Sequence, residues 1–316
     1  MAAAADDLGA HVGAMRVAIT GSTGLIGEAL VASLTADGHR VQRVTRSRAN
    51  AGPDDVVWDP QGGDVDTAAL EGVDAVVHLA GEPLGSRRWN AAVKREILAS
   101  RSVGTRTLAE ALASLDSPPA VLVSGSGSGY YGDRGDEVLT EDEPPGDDFV
   151  AGVVVAWEAA TRPAAAAGIR VACSRTGVVM AAGGALIEKV ELPFKLGVGG
   201  RVGSGRQYVP WISLPDEVRA LRFLIDEESL AGPVNLVAPQ QRTNAQLTKD
   251  LGAVYRRPTV MPIPLFAVRV AYGEGAVALA APSQRVVPTR LEGAGFRYEH
   301  PELRGALEAA LGRRAR

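Results

Sequence analysis

A short apolar strand, a glycine-rich turn and a helix follow one another in Met15–Gly27, which reads MRVAITGSTGLIG. The apolar run Val17–Ile19 predicts a buried strand, and helical periodicity begins at Glu28. Glycines at 21, 24 and 27 permit a tight turn, close backbone approach to a phosphate, and close packing of helix on strand. This order predicts an α/β sheet whose first helix points its N-terminus at a dinucleotide pyrophosphate.

Strand and helix patterns alternate along the first two thirds of the chain. This alternation predicts a doubly wound parallel Rossmann sheet with helices on both faces. The predicted strands are Arg16–Thr20, Arg40–Thr45, Ala75–Leu79, Ala120–Ser124, Ile169–Arg175 and Val234–Val237. The predicted helices are Gly24–Asp37, Asn90–Leu115, Ala151–Ala167 and Asp216–Asp226.

The character of the chain changes at Thr243, where prolines and then alanine-rich helical stretches begin. We therefore expect a smaller, mainly helical C-terminal cap beside the Rossmann domain. The expected division is a disordered leader at 1–14, a dinucleotide-binding domain at 15–180 that returns at 212–238, and a substrate-side domain at 181–211 and 239–316.

The composition of the chain limits the kinds of partner, cross-link and metal site that we expect. The net charge of −4 over 316 residues gives no reason to expect nucleic acid as a partner. The single cysteine, Cys173, excludes an intramolecular disulfide and fits a reducing cytoplasm. No apolar run approaches the ~20 residues of a membrane helix. The four histidines lack metal-ligand spacing, so we predict no metal site.

The end of the second predicted strand indicates which dinucleotide is preferred. An NAD site would carry an acidic residue there for the ribose hydroxyl. This chain instead reads Arg46-Ser47-Arg48, without a carboxylate. Guanidinium groups suit a 2′-phosphate because they offer paired donors in a planar fork. The segment therefore favours NADP(H), although a solvated basic loop would look the same.

Several further motifs occur together. They are VVHLAGEPL at 76–84, SRSVGTRTL at 100–108, SGSGSGYYGD at 124–133, WEAA at 157–160, GSGRQYVPWISLPD at 203–216 and SQRV at 283–286. With the glycine turn, they resemble the atypical extended short-chain dehydrogenases of the NAD-dependent epimerase/dehydratase family that carry a C-terminal domain of unknown function (DUF1731 type). Members are called epimerase family proteins, and some carry the label of cell-division inhibitor. The resemblance covers Met15 to about Gly312.

The resemblance implies NADP(H) as cofactor and an oxidoreductase or epimerase-like activity, but it supplies no substrate. In such enzymes a Ser or Thr orients the substrate at the end of the fourth long strand, which makes Ser126, then Ser124, the candidate here. The residues assigned to the cofactor are Gly21, Ser22, Thr23, Gly24, Leu25, Ile26, Gly27, Arg46, Ser47, Arg48, Leu79, Ala80, Gly81, Glu82, Arg101, Ser124, Arg175, Gly177 and Val178.

The chain departs from the family at the acid/base pair. The expected Tyr-x-x-x-Lys is missing from the helix ending in Trp157-Glu158, and no tyrosine has lysine four residues later. Three interpretations follow. Another donor, such as Tyr130, Tyr131 or Glu141, serves the enzyme; or water or substrate groups carry the proton; or the chain binds NADP(H) without turnover, as a redox-sensing or regulatory protein.

The substrate side offers a cationic loop. Lys195, Arg201 and Arg206 flank a glycine-rich segment that could clamp an anionic or sugar-nucleotide-like small molecule. A flexible, solvated loop is the alternative. The predicted helices Asn90–Leu115 and Ala151–Ala167 could pair two copies, so we expect a monomer or a homodimer.

Overall fold

The computed structural model describes residues 13–312. Most of the predicted leader therefore lies outside the described residues. The strands are β1 Arg16–Thr20, β2 Arg40–Thr45, β3 Val56–Asp59, β4 Asp64–Val65, β5 Ala75–His78, β6 Val121–Gly127, β7 Val138–Leu139, β8 Arg170–Thr176, β9 Val178–Met180, β10 Trp211–Ser213, β11 Gly232–Leu236 and β12 Arg285–Val286. The helices are α1 Leu25–Ala36, α2 Thr67–Leu70, α3 Ala91–Ala113, α4 Phe149–Ala159, α5 Arg162–Ala166, α6 Ala185–Lys195, α7 Leu214–Asp226, α8 Asn244–Tyr255, α9 Leu265–Tyr272, α10 Glu274–Ala280, α11 Thr289–Gly293 and α12 Leu303–Ala310.

Eight strands form one sheet in the order β11-β8-β6-β5-β1-β2-β3-β4. All neighbours are parallel except β3 and β4. The order reverses beside β1, which is the switch point of a doubly wound sheet. The predicted fold class is confirmed, and the predicted strands recur within a few residues of their expected bounds.

Apolar helix faces cover both sides of this sheet. On one side, α1, α7 and α11 bury Leu30, Leu221 and Leu291 against β1, β5 and β6. On the other, α3 buries Leu108 and Leu112 against the same strands. Strands that are buried on both faces read as continuous apolar runs, which is why they are recognisable in the sequence.

One predicted helix was wrong in its length. The single helix expected at Ala151–Ala167 is two helices, α4 and α5, separated by Ala160-Thr161. The reason is Pro163, which lies in the first turn of α5. Proline has no amide hydrogen to donate to the carbonyl one turn earlier, so a continuous helix would lose that bond.

The C-terminal part has its own apolar core, built from α6, β10, α8 and α12 around Phe194, Trp211, Leu251 and Leu307. A second contact ties it to the sheet. Strand β12 pairs with β7, and Ser283 donates its hydroxyl to the carbonyl of Gly135 at 2.5 Å. The cap is therefore fastened to the loop that follows β6.

Residues 13–312 contain neither a helix that could span a membrane nor a cluster of side chains that could hold a metal ion. None of the helices there is long and apolar enough to cross a membrane. No group of three or more His, Cys, Asp or Glu side chains in that range is arranged to hold a metal ion.

Candidate functional site

The glycine turn lies at the carboxyl end of β1 and leads into α1. Gly21 adopts a φ of +67°, and a Cβ there would lie 2.8 Å from the carbonyl carbon of Leu79. A Cβ on Gly27 would lie 2.2 Å from the carbonyl oxygen of Gly21. Gly24 caps α1 without any side-chain hydrogen bond to the first turn. The turn therefore leaves the positive end of the helix open to an anion.

We expect Gly27→Ala to destabilise the protein by about 1–3 kcal/mol, because the added methyl group overlaps a backbone atom that cannot rotate away. The control is Gly152→Ala in α4, where a Cβ meets nothing within 4 Å. That variant should be more stable than the parent by about 0.5–1 kcal/mol. Urea unfolding measures both, and equal stability of the two variants would contradict the packing argument.

The end of β2 presents two cations to solvent. Arg46 and Arg48 are exposed, and neither guanidinium contacts a hydrogen-bond acceptor in residues 13–49 or 51–312. Ser47 is half-buried, and its amide donates to the hydroxyl of Thr45 at 3.3 Å. Both cations are therefore available to a ligand at the carboxyl edge of the sheet.

The segment after β5 is held against β1 by Thr20. The hydroxyl of Thr20 accepts from the amides of Leu79 and Ala80, each at 3.0 Å, and contacts Nδ1 of His78 at 2.7 Å. The other ring nitrogen of His78 contacts the hydroxyl of Thr105 at 2.9 Å. Burial lowers the pKa of His78 to about 4, so this imidazole is neutral and supports the strand.

A buried polar cluster lies at the carboxyl ends of β6 and β8. Ser126 donates its hydroxyl to Oε1 of Glu158 at 2.7 Å. Arg175 holds both oxygens of the same carboxylate, with Nε at 2.8 Å and Nη2 at 3.0 Å. Burial disfavours the charge on Arg175, but Glu158 outweighs this and raises the pKa of the guanidinium. Glu158 is thus the carboxylate that Ser126 contacts.

Two tyrosines complete this cluster. The hydroxyl of Tyr131 donates to Oδ1 of Asn235 at 2.7 Å and accepts from Arg175 at 3.0 Å. Burial raises its pKa to about 12. Tyr130 is half-buried, and its ring lies 3.4 Å from the guanidinium carbon of Arg175. Tyr131 is therefore a structural donor, whereas Tyr130 keeps its hydroxyl without a partner among the described residues.

Two further candidates from the sequence, Ser124 and Glu141, are buried and form hydrogen bonds with backbone groups. Ser124 is fully buried, and its hydroxyl donates to the carbonyl of Gly125 at 3.2 Å. One carboxylate oxygen of Glu141 accepts from the backbone amides of Asn235 and Arg290. The other has no partner in the described chain. Ser124 and Glu141 are 0% and 4% exposed, and both are therefore more deeply buried than Ser126, which is 8% exposed.

The segment that follows β8 lies at the same carboxyl edge of the sheet. Gly177 approaches Pro210 so closely that a Cβ would lie 2.9 Å from its carbonyl carbon, and the amide of Val178 donates to that residue's carbonyl at 2.8 Å. Thr176 donates to Glu217 at 2.8 Å. Glu217 is fully buried, which raises its pKa to about 8. This carboxyl group is therefore largely protonated at neutral pH.

Two of the three cations expected to clamp a substrate are engaged within the protein. Lys195 pairs with Glu191 at 2.6 Å one turn away. Arg201 donates to the carbonyls of Gly203 and Ser204 in its own loop. Arg206 is exposed, and its guanidinium has no partner within residues 13–312. Of these three cations, Arg206 is the one whose guanidinium is free to bind an anionic substrate.

Sequence reasoning missed Glu158 and Asn235 as members of the site. They lie 32 residues from Ser126 and 104 residues from Tyr131, and only the parallel order of β6, β8 and β11 brings them together. Glu158 comes shortly after the segment where a Tyr-x-x-x-Lys pair is expected. That position was the one sequence signal that could have indicated Glu158 as a site residue.

Known proteins resemble this chain over almost its whole length. Residues 17–237 match the family model "NAD dependent epimerase/dehydratase family", and residues 263–310 match "Domain of unknown function (DUF1731)". The curated "Epimerase family protein Mb2239" of Mycobacterium bovis is 45% identical over 297 residues, which cover 94% of this chain and 98% of that protein.

Two solved structures share both sequence and fold. The crystal structure of the human epimerase family protein SDR39U1 (isoform 2) with NADPH is 36% identical, with a TM-score of 0.85, covering 94% of this chain and 99% of that one. A nucleoside-diphosphate sugar epimerase from Corynebacterium glutamicum is also 36% identical, with a TM-score of 0.80. That similarity covers 95% of this chain and 59% of the other.

Proposed function

This chain belongs to the NAD dependent epimerase/dehydratase family, and from that premise we propose that it is an NADP(H)-dependent oxidoreductase of the epimerase type. The observation that carries the proposal is the 2.7 Å hydrogen bond from Ser126 to the Glu158 carboxylate. It provides a connected proton donor and acceptor at the edge of the sheet where ligands of such folds bind.

The residues present fit a dinucleotide phosphate. The glycine turn leaves no room for a Cβ at Gly21 or Gly27, and the uncapped start of α1 suits a pyrophosphate. The unpartnered guanidinium groups of Arg46 and Arg48 suit a 2′-phosphate at the adenosine end. The human relative crystallised with NADPH supports this choice.

We expect Arg46→Ala to weaken NADPH binding about 10–100-fold, because a charge-assisted hydrogen bond contributes about 1.5–3 kcal/mol. NADH lacks the 2′-phosphate, so its weaker binding should be unchanged. Titration of the purified protein, followed by nicotinamide fluorescence, measures both ligands.

The matched control is Arg43→Ala, an exposed arginine on β2 itself. It should leave the affinity for NADPH unchanged. An equal loss of NADPH and NADH binding in Arg46→Ala would contradict selection by the 2′-phosphate.

The bound cofactor would supply or accept a hydride. The protein's part is to move the proton that accompanies it. In the oxidation direction, a substrate hydroxyl gives its proton to Ser126 while Ser126 passes its own to Glu158. In the reduction direction the two transfers reverse. Arg175 keeps Glu158 in place for this exchange through two hydrogen bonds.

We propose a small anionic substrate, with a sugar nucleotide as the leading class. The free guanidinium of Arg206 supports an anion. The printed name of the Corynebacterium glutamicum relative supports a sugar nucleotide. A panel of carbonyl compounds and sugar nucleotides, read by NADPH oxidation, tests this proposal.

A non-catalytic NADP(H)-binding regulator is the second candidate, because α4 lacks both tyrosine and lysine. This function predicts a partner protein whose binding differs between NADP⁺ and NADPH. Turnover of any substrate in the panel excludes it. Absence of turnover together with redox-dependent capture of one purified partner favours it.

We propose that 15–180 and 212–238 hold the cofactor while 181–211 and 239–316 face the substrate. We propose a cytoplasmic location, which fits a chain whose single cysteine, Cys173, cannot form an intramolecular disulfide. A monomer or a homodimer remains the expected state, and light scattering would distinguish them.

A further inference from the structure

Exposed apolar side chains are concentrated in one part of the C-terminal region. Of the 14 large apolar side chains that are exposed among the described residues, nine fall within 192–198 and 260–272. Single exposed apolar residues are ordinary on a protein surface, whereas a contiguous patch indicates an interaction surface. The nine are Leu192, Leu196, Val198, Val260, Met261, Leu265, Phe266, Val270 and Tyr272.

The two segments lie against each other, so these side chains share one surface. Nε of Arg257 donates to the carbonyl of Lys195 at 3.0 Å, just after α6 ends. Closer to the start of α6, the ammonium of Lys189 lies 6.0 Å from the centroid of the Tyr272 ring at the end of α9. We call residues 192–198 and 256–272 the cap surface.

Helix α9 and the loop before it present their apolar side chains to solvent. None of the eight residues of α9 is buried, and Phe266 and Val270, one turn apart, are each 71% exposed. In the loop, Val260 is 85% exposed and lies between Pro258 and Pro262. Proline fixes φ, so the loop can present Val260 to a partner with little loss of entropy.

The charge of the cap surface is positive, although the whole chain has a net charge of −4. The cap surface contains four Lys or Arg residues and no Asp or Glu. Arg256 and Arg269 are exposed, and neither guanidinium has a partner in residues 13–49 or 51–312. Two carboxylates lie nearby on α6: Glu191 pairs with Lys195 at 2.6 Å, and Glu188 is exposed. One free carboxylate does not balance these cations.

This combination of side chains matches the chemistry of an anionic membrane surface. A free phosphate would bind the cations but would leave the apolar side chains exposed to water. A bilayer offers phosphates at its surface and an apolar phase just beneath them. We propose that the cap surface binds one leaflet of an anionic phospholipid bilayer. Val260 and Phe266 enter the leaflet at headgroup level, while Arg256 and Arg269 contact the phosphates.

Vesicle flotation with the full chain tests this binding. We expect the protein to bind vesicles of phosphatidylcholine with about 30% phosphatidylglycerol at least tenfold more tightly than phosphatidylcholine alone. Raising the salt concentration to about 0.5 M should weaken the binding, because salt screens the headgroup charges. Soluble glycerol phosphate should not compete, since it offers no apolar phase. Competition by glycerol phosphate would identify a phosphate site and overturn the proposal.

Two double variants test the position of the charges. Arg256→Gln with Arg269→Gln should weaken binding to the anionic vesicles about 10–30-fold, because each cation at such a surface contributes to affinity. The matched control is Arg106→Gln with Arg162→Gln, which removes the same charge from exposed positions on α3 and α5. The control should bind within about twofold of the parent. Equal weakening in both double variants would show that net charge alone attracts the protein.

A fluorescent reporter tests whether apolar side chains enter the leaflet. The four native tryptophans are buried, so Phe266→Trp adds an indole in a different environment. We expect its emission to shift to shorter wavelength on anionic vesicles and to be quenched by brominated phospholipid. Val103→Trp, at an exposed position on α3, is the control and should show neither change.

The outcomes are distinguishable. Absence of binding to anionic vesicles, or an unshifted emission from Phe266→Trp in bound protein, overturns the proposal. Light scattering that shows a dimer in the parent and a monomer in Phe266→Ala would assign the cap surface to a second copy instead. Binding to vesicles requires no cofactor, so a failure of the proposed function leaves this inference in place.

Discussion

Replacing Ser126 by alanine is expected to slow the NADPH-dependent reduction of a carbonyl substrate about 10²–10⁴-fold. The hydroxyl is the group that contacts Glu158, so its removal breaks the path between substrate and carboxylate. The affinity for NADPH and the melting temperature should remain close to those of the parent, since no other hydrogen bond of this side chain is lost. Steady-state kinetics on a substrate from the panel would measure the effect.

Two comparisons make this result interpretable. Glu158→Gln should also slow the reduction, because the amide cannot supply the proton that Ser126 passes to the substrate. A larger loss in Ser124→Ala than in Ser126→Ala would contradict the assignment, because Ser124 is fully buried. Full activity in Ser126→Ala would mean that Tyr130, water or the substrate itself carries the proton.

Replacing Arg175 by methionine is expected to lower the free energy of unfolding by about 3–5 kcal/mol. The Arg175 side chain is 3% exposed and holds both oxygens of Glu158. Its loss leaves a largely buried carboxylate without a counter-charge, and removes a donor from Tyr131. Urea unfolding, with the slope checked for two-state behaviour, measures the change.

Two further variants test why Arg175→Met lowers the free energy of unfolding. The double variant Arg175→Met with Glu158→Gln should be more stable than Arg175→Met alone, because the orphaned charge is gone. The exposed pair Arg40–Asp54 is the surface control, and Arg40→Met should cost less than about 1 kcal/mol. An Arg175→Met variant as stable as Arg40→Met would show that the buried pair contributes no net stability.

The fold was predictable from local sequence because its strands are buried on both faces. Apolar runs such as Val17–Ile19 indicate strands that are buried in the core. The glycine turn indicates the direction of the first crossover, which leads from β1 into α1. The short strand β3 was missed, since four residues carry little periodicity. Pro163 is the sequence signal for the break between α4 and α5, and the prediction of one helix over Ala151–Ala167 did not use it.

The site was predictable only where its residues are consecutive. Gly21 directly follows β1 and Arg46 directly follows β2, so both lie at the carboxyl edge of the sheet. The partner of Ser126 was not predictable in this way, because Glu158 comes from a helix and is selected by the pairing of β6 with β8. The buried Glu217 reaches Thr176 from α7 for the same reason. Contacts between elements that are far apart in the sequence therefore determine which carboxylates lie in the site.

The fastening of the C-terminal part to the loop after β6 has a consequence during synthesis. The amide of Ser283 donates to Asp133 across 150 residues of chain. At ribosomal speeds of about 5–20 residues per second, this partner arrives roughly 8–30 seconds after Asp133 has emerged. A nascent chain can therefore assemble the glycine turn early, whereas the Tyr130 loop is completed only when translation is nearly finished. A ribosome stalled before residue 283 would display a candidate site that is only partly assembled.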